Sequence, residues 1–150
     1  AMAAPVKEDG LLKIATRLGM VREAQLQDAF KMLQAQCHGA DIVYGGDTNW
    51  LPKDHKSDPV LPPGWQDTWL ALRPGDPGRR YNPMTGYMGN RIDKLFMHGA
   101  SRWEPLSVEM VGTEPLPGGL TTRTRQGKEA PVLISDHFGL LLRLRAKPGR

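Results

Sequence analysis

Asp41-Ile42-Val43-Tyr44-Gly45-Gly46-Asp47-Thr48-Asn49 is the stretch on which the fold turns. Its apolar run predicts a buried strand over 41–44, ended by a tight turn at Gly45-Gly46. A polar cluster, Asp47 to Asn49, follows at once. Two later stretches repeat the theme. Arg91-Ile92-Asp93-Lys94-Leu95-Phe96 predicts a strand over 91–97 that carries an acid within it. The buried run Val132-Leu133-Ile134 leads into Ser135-Asp136-His137-Phe138-Gly139. Ends of strands are where α/β sheets gather their sites. Aspartate oxygens are hard ligands suited to Mg²⁺ or Mn²⁺. A histidine beside an acid serves as acid, base or electrostatic stabiliser.

Taken singly, each cluster also has a structural reading. Gly-Asp-x-Asn is a common turn composition, because Asn and Asp tolerate left-handed geometry. Ser-Asp-His caps a following element in many chains. Asp93 has Arg91 and Lys94 beside it as ion-pair partners.

Working outward, Leu11, Ile14, Ala15 and Leu18 share one helical face, and Gly19 is placed to end that helix. Leu26, Ala29, Phe30, Leu33 and Cys37 continue at the same spacing, which predicts a second amphipathic helix over 21–37. Cys37 then belongs to a packed stripe and not to a catalytic thiol. A Pro- and Gly-rich stretch over 51–90 reads as surface loop, with two helical turns over 65–72 stopped by Pro74. Leu106, Val108 and Met110 alternate with Ser107, Glu109 and Val111 as a strand does. Residues 112–130 read as a mobile polar loop carrying Arg123, Arg125 and Lys128. A last strand is predicted over 140–145. Helices mixed with several strands give an α/β layered class.

Composition sets the outer limits. The 150 residues suit one domain, and the single cysteine excludes a disulfide framework or a Cys-rich zinc module. No apolar run approaches the roughly 20 residues that span a bilayer. The net charge of +4 is modest and compatible with a polyanionic partner. The thiol and the lack of a targeting signal point to an intracellular setting, whether nuclear, cytoplasmic or organellar.

The ordered set of clusters resembles the last three motifs of the endonuclease/exonuclease/phosphatase superfamily. Gly46-Asp47-Thr48-Asn49 and Ser135-Asp136-His137-Phe138-Gly139-Leu140 are similar to its 5′-tyrosyl-DNA phosphodiesterase branch, a DNA-repair hydrolase class. Leu61-Pro62-Pro63-Gly64-Trp65-Gln66-Asp67-Thr68-Trp69 resembles the plant and algal members of that branch. The resemblance runs over about residues 21–145, leaving 1–20 unmatched and 146–150 as a basic tail.

This resemblance implies half of a four-layer α/β sandwich, a mixed sheet with flanking helices. It implies that Asp47 and Asn49 orient the attacking water and hold the phosphate. Asp136 takes part in metal or water organisation, with Mg²⁺ or Mn²⁺ as the ion. His137 stabilises charge on the scissile phosphate, and Asp93 holds its ring. Arg123, Arg125 and Lys128 are the candidate phosphate contacts on nucleic acid. The superfamily's early Asn motif and metal-binding Glu have no counterpart here. The expectation is therefore a metal-dependent phosphodiesterase domain, incomplete as a single chain. The alternative is an inactive interaction subunit whose exposed sheet is covered by a protein partner or by self-association. A third reading is a nucleic-acid-binding module using the loop and a cluster of Arg143, Arg145, Lys147 and Arg150.

Overall fold

A computed structural model of the chain describes residues 8–51 and 58–148, with side chains from residue 17 onward except that of Tyr87. The elements in order are α1 (Glu8–Gln36), β1 (Ile42–Asp47), β2 (Trp65–Asp67), α2 (Thr68–Leu72), β3 (Arg80–Asn82), β4 (Tyr87–Gly89) and β5 (Asp93–His98). They are followed by β6 (Trp103–Val111), β7 (Thr121–Arg123), β8 (Glu129–Pro131) and β9 (Gly139–Ala146). The fold is an α/β half-sandwich. Every ladder among the described residues is antiparallel, and the central sheet has the order β1-β5-β2.

The core forms where α1 lies on that sheet. Leu26 and Phe30 are buried against Ile42, Trp50, Trp65 and Phe96, with Leu33 and Cys37 packed on the margin. The Phe30 ring touches Trp65, Phe96 and Tyr44 at centroid distances of 4.4, 5.2 and 5.9 Å. The 3-and-4 spacing on α1 supplies one side of this cluster. Strand alternation supplies the other, because Ile42 and Tyr44 pair with His98 and Phe96 on one face.

Three expectations change in the first half. Residues 11–18 and 21–37 are not two helices: α1 runs unbroken for 29 residues through a buried Gly19. A mid-helix glycine costs about 1 kcal/mol, which a long helix with a packed face absorbs. Gly45-Gly46 does not end β1, which continues through both glycines to Asp47. At Gly45 a Cβ would run into the Leu95 side chain and the Lys94 carbonyl oxygen, so the close approach of β5 itself calls for glycine there. Residues 65–72 divide into strand and helix. Asp67 ends β2 and caps α2, its Oδ1 accepting from the N–H groups of Trp69 and Leu70.

α2 is seated on the sheet by side chains. Thr68 Oγ1 donates to the Leu95 carbonyl at 2.9 Å, and Arg73 Nε donates to the Val108 carbonyl at 2.9 Å. β6 pairs with β9 along its whole length, with a register shift between Pro105 and Ser107 where proline has no N–H to donate.

Three more expectations change in the second half, the first at residues 80–89, which are not loop but the paired strands β3 and β4. Part of 112–130 is a hairpin, with β7 paired to β8 and closed by Thr124 and Gly127, whose φ is +75°. The run Val132-Leu133-Ile134 forms no named strand. Leu133 is buried and bridges Pro115, whereas Ile134 is 73% exposed.

Apolar residues such as Val43, Trp103, Leu106 and Leu141 are exposed. No helix among the described residues is long and apolar enough to cross a membrane.

Candidate active site

The site gathers at the end of the β1–β5 ladder. Asp47 and Asp93 are the last register partners of that ladder. Beyond them, the Thr48 N–H and Oγ1 both donate to the Ile92 carbonyl, at 2.8 and 2.7 Å, locking the two chain segments together. Asn49 has φ of +48°, an uncommon left-handed conformation that Asn tolerates. This turn lets its N–H and Nδ2 donate to the two Asp47 carboxylate oxygens at 2.7 and 3.0 Å.

The approach to β9 delivers the histidine. The His137 N–H donates to Ser135 Oγ at 3.1 Å, and Asn82 Nδ2 donates to the Asp136 carbonyl at 3.0 Å. His137 Nδ1 lies 2.8 Å from Asp93 Oδ2. Donation to the Asp93 carboxylate raises the imidazole pKa above its usual 6.5. Partial burial opposes this rise, and the charges of Asp93, Asp47 and Asp136 add to it. With Nδ1 occupied as donor, Nε2 is the nitrogen left for a ligand.

A cleft of about 720 Å³ opens here, bordered by Asp93, Asp136, His137, Phe138, Arg80 and Arg125. Arg80 is paired with Asp76 at 2.9 Å, and that contact leads the effects holding the Asp76 carboxyl at about 2. Asp47 does not line this cleft; it borders a second cavity of about 220 Å³ between α1 and β1, beside Arg22, Tyr44 and Trp50.

The sequence-selected bases separate. Arg125 reaches the 720 Å³ cleft, Arg123 lines a groove on its own hairpin, and Lys128 lines another beside Tyr81. The expected cluster of Arg143, Arg145 and Lys147 is not an unpaired patch. Arg143 pairs with Glu109 at 2.7 Å, Arg145 with Glu104 at 2.6 Å, and Lys147 Nζ donates to the Ala100 carbonyl. Arg150 lies outside the described residues, as does His55. His98 sits at the far end of β5 opposite Ile42, bonded to Gln34 at 2.9 Å, and takes no part in the site. Trp50 is core.

Sequence reasoning missed a buried charge cluster behind Asp93. Arg91 Nη1 donates to Asp67 Oδ1 at 3.1 Å and stands 2.8 Å from Oδ2. Arg91 Nη2 reaches Asp58 at 3.3 Å, and Lys94 Nζ reaches the same oxygen at 2.9 Å. The Lys94 side chain is only 2% exposed. Burial and the neighbouring Arg91 lower the lysine pKa against the pull of Asp58 and Asp67. Burial pushes the Asp58 carboxyl up, but Lys94 and Arg91 outweigh it and hold it below the usual value. Two cations flanking Asp93 at the start of an apolar run were the available signal.

The donor set for a metal is thin. Both Asp47 oxygens accept from Asn49, and one Asp93 oxygen is engaged by His137. Among the described residues no group of three His, Cys, Asp or Glu side chains is gathered to hold an ion. Asp136 and its neighbours therefore do not fit a resident Mg²⁺ or Mn²⁺ on their own.

No protein-family model matches the sequence, and no curated protein matches it. Solved structures do. A humanized D. rerio TDP2 carrying 14 mutations matches with TM-score 0.59 at 20% identity, over 86% of this chain and 50% of that one. D. rerio TDP2 complexed with a single-strand DNA product matches with TM-score 0.59 at 22% identity, over 85% and 50%. Truncated Caenorhabditis elegans TDP2 matches with TM-score 0.54 at 21% identity, over 79% and 45%. The fold is like that of half of these TDP2 structures. The chain spans about half the length of these structures.

Proposed function

We propose that the chain is a phosphodiesterase-like domain that acts on nucleic-acid ends or related phosphoesters, with its site completed from outside the described residues. The observation that carries this reading is the Asp93–His137 hydrogen bond at 2.8 Å beside a cleft that also holds Arg125. Cleavage of a phosphodiester builds negative charge on the phosphoryl oxygens, and a fixed cation close to them lowers the barrier. His137 supplies that charge, because the hydrogen bond with Asp93 raises its pKa and so favours the imidazolium. Asp93 fixes the ring so that Nε2 faces the phosphoryl group. Asn49, tied to Asp47, positions the phosphate and the attacking water. Arg125 holds a neighbouring phosphate.

The likeness to a TDP2 solved with a single-strand DNA product supports a nucleic-acid substrate. The 61–69 stretch supports the narrower plant and algal resemblance. Mg²⁺ or Mn²⁺ enters this reading only with ligands added to Asp136 by another segment or chain. A packed, unpaired Cys37 accords with an intracellular setting.

The second reading, an inactive interaction subunit, is favoured by the thin metal donor set among the described residues. The two separate in one assay: hydrolysis of a 5′-phosphotyrosyl oligonucleotide in size-fractionated protein, with and without EDTA. Turnover that follows the protein peak and disappears with EDTA supports the phosphodiesterase. A folded protein that binds the oligonucleotide without cleaving it supports the subunit.

A further inference from the structure

We propose that Arg91 and Asp67 are positioning residues for His137, acting through Asp93. Residues 91–94 are fixed one after another. Arg91 is clamped by Asp67 and Asp58, the Ile92 carbonyl accepts twice from Thr48, Asp93 engages His137, and Lys94 is tied to Asp58. The segment that carries Asp93 thus has buried ionic anchors on both sides of it.

The anchor is built at a cost that stability alone does not justify. Buried ion pairs are weak stabilisers, and apolar replacements are frequently as stable. Here two cations and Asp67 are all buried, and Arg91 Nε has no hydrogen-bond partner. What the cluster provides is geometry. Asp67 is at once the cap of α2 and the counter-ion of Arg91, so it joins the α2 cap rigidly to the start of β5. Gly78 confines Arg91 from the other side, since a Cβ there would lie 2.6 Å from Arg91 Cδ. A planar guanidinium held by a carboxylate fixes direction as well as distance.

The inference rests on the phosphodiesterase reading for its rate measurement but not for its spectroscopic one. Asp67→Asn is the sharpest variant, because Asn caps a helix about as well as Asp and only the ion pair is lost. Arg91→Lys keeps the charge and removes the fork. Asp58→Asn alters a half-exposed partner and is the mild member of the series. In the full chain, ¹⁵N shifts of the His137 ring at alkaline pH report which nitrogen carries the proton. The wild type is expected to hold it on Nδ1, facing Asp93. All three variants are expected to move it toward Nε2, with Asp58→Asn moving it least. In the hydrolysis assay kcat should fall by roughly 10–100-fold, the scale of a small misplacement at a reacting centre, while KM holds.

Asp93→Ala is the control. If it leaves the tautomer unchanged, the Asp93–His137 pairing fails and the function with it. If it shifts the tautomer but Asp67→Asn and Arg91→Lys do not, and those variants merely melt earlier, the cluster is structural and the positioning role is overturned. A wild type without turnover that still shows the graded tautomer shift removes the phosphodiesterase reading and leaves the positioning intact.

Discussion

Asp93 lies across the β1–β5 ladder from Asp47, and of the two it is Asp93 whose carboxylate reaches His137, at 2.8 Å. Asp47 is committed to Asn49. Two adjacent carboxylates therefore have different tasks, one orienting an imidazole and the other shaping a turn.

The first prediction concerns pH. The hydrogen bond with Asp93 raises the His137 pKa in the folded state above 6.5. A raised folded value means that the contribution to stability is fully present below the unfolded pKa and is lost as pH rises through the folded pKa. Asp93→Asn should bring the titration back toward the ordinary value, and NMR of the ring protons measures it. An unchanged midpoint would contradict the pairing.

Core packing gives the second. Phe30 is fully buried and in contact with three aromatic rings. Phe30→Ala should cost about 3–5 kcal/mol, whereas Val43→Ala, at a residue 47% exposed, should cost less than ~1 kcal/mol. Denaturant unfolding of both variants checks the contrast.

The third lies at the opposite end of β5. Burial pushes the Asp41 carboxyl up, but N–H groups of Ser101, Trp103 and Arg102 and the Ser101 hydroxyl outweigh it and hold the carboxyl well below the usual range. A depressed folded pKa contributes stability above the unfolded value, lost as pH falls through the folded one. Asp41→Ala should cost about 1–2 kcal/mol at neutral pH, discounted for its partial exposure. The deficit should narrow in strong acid, as read by unfolding at several pH values.

Salt dependence gives the fourth. Arg125 borders the cleft, whereas Arg143 is paired with Glu109. Arg125→Ala should weaken single-stranded oligonucleotide binding and flatten the log–log salt slope by about 0.7, the release expected per phosphate contact. Arg143→Ala should leave the slope unchanged. Fluorescence anisotropy titrations across ionic strengths measure both.

Legibility in the sequence followed the range of the interactions. The Leu26, Phe30, Leu33 and Cys37 stripe is local periodicity, and it is what packs on the sheet. The order of the three polar clusters marked the residues that meet at the ladder's end. Gly19 and Gly45 misled because glycine signals a break; at Gly45 it is instead the close approach of β5, remote in sequence, that calls for glycine. The β7–β8 hairpin hid in a polar composition that reads as loop. Arg91 and Lys94 read as ion-pair partners of Asp93, but they pair with Asp58 and Asp67, which are remote in sequence and reach them only through the fold.

The most direct measurement is the rate of 5′-phosphotyrosyl oligonucleotide hydrolysis by the wild type beside His137→Ala and Asp47→Ala, each confirmed folded and of matched mass by light scattering. Turnover is expected in the wild type, reduced by at least about a hundredfold in His137→Ala with little change in oligonucleotide affinity. Equal turnover in wild type and both variants would contradict it.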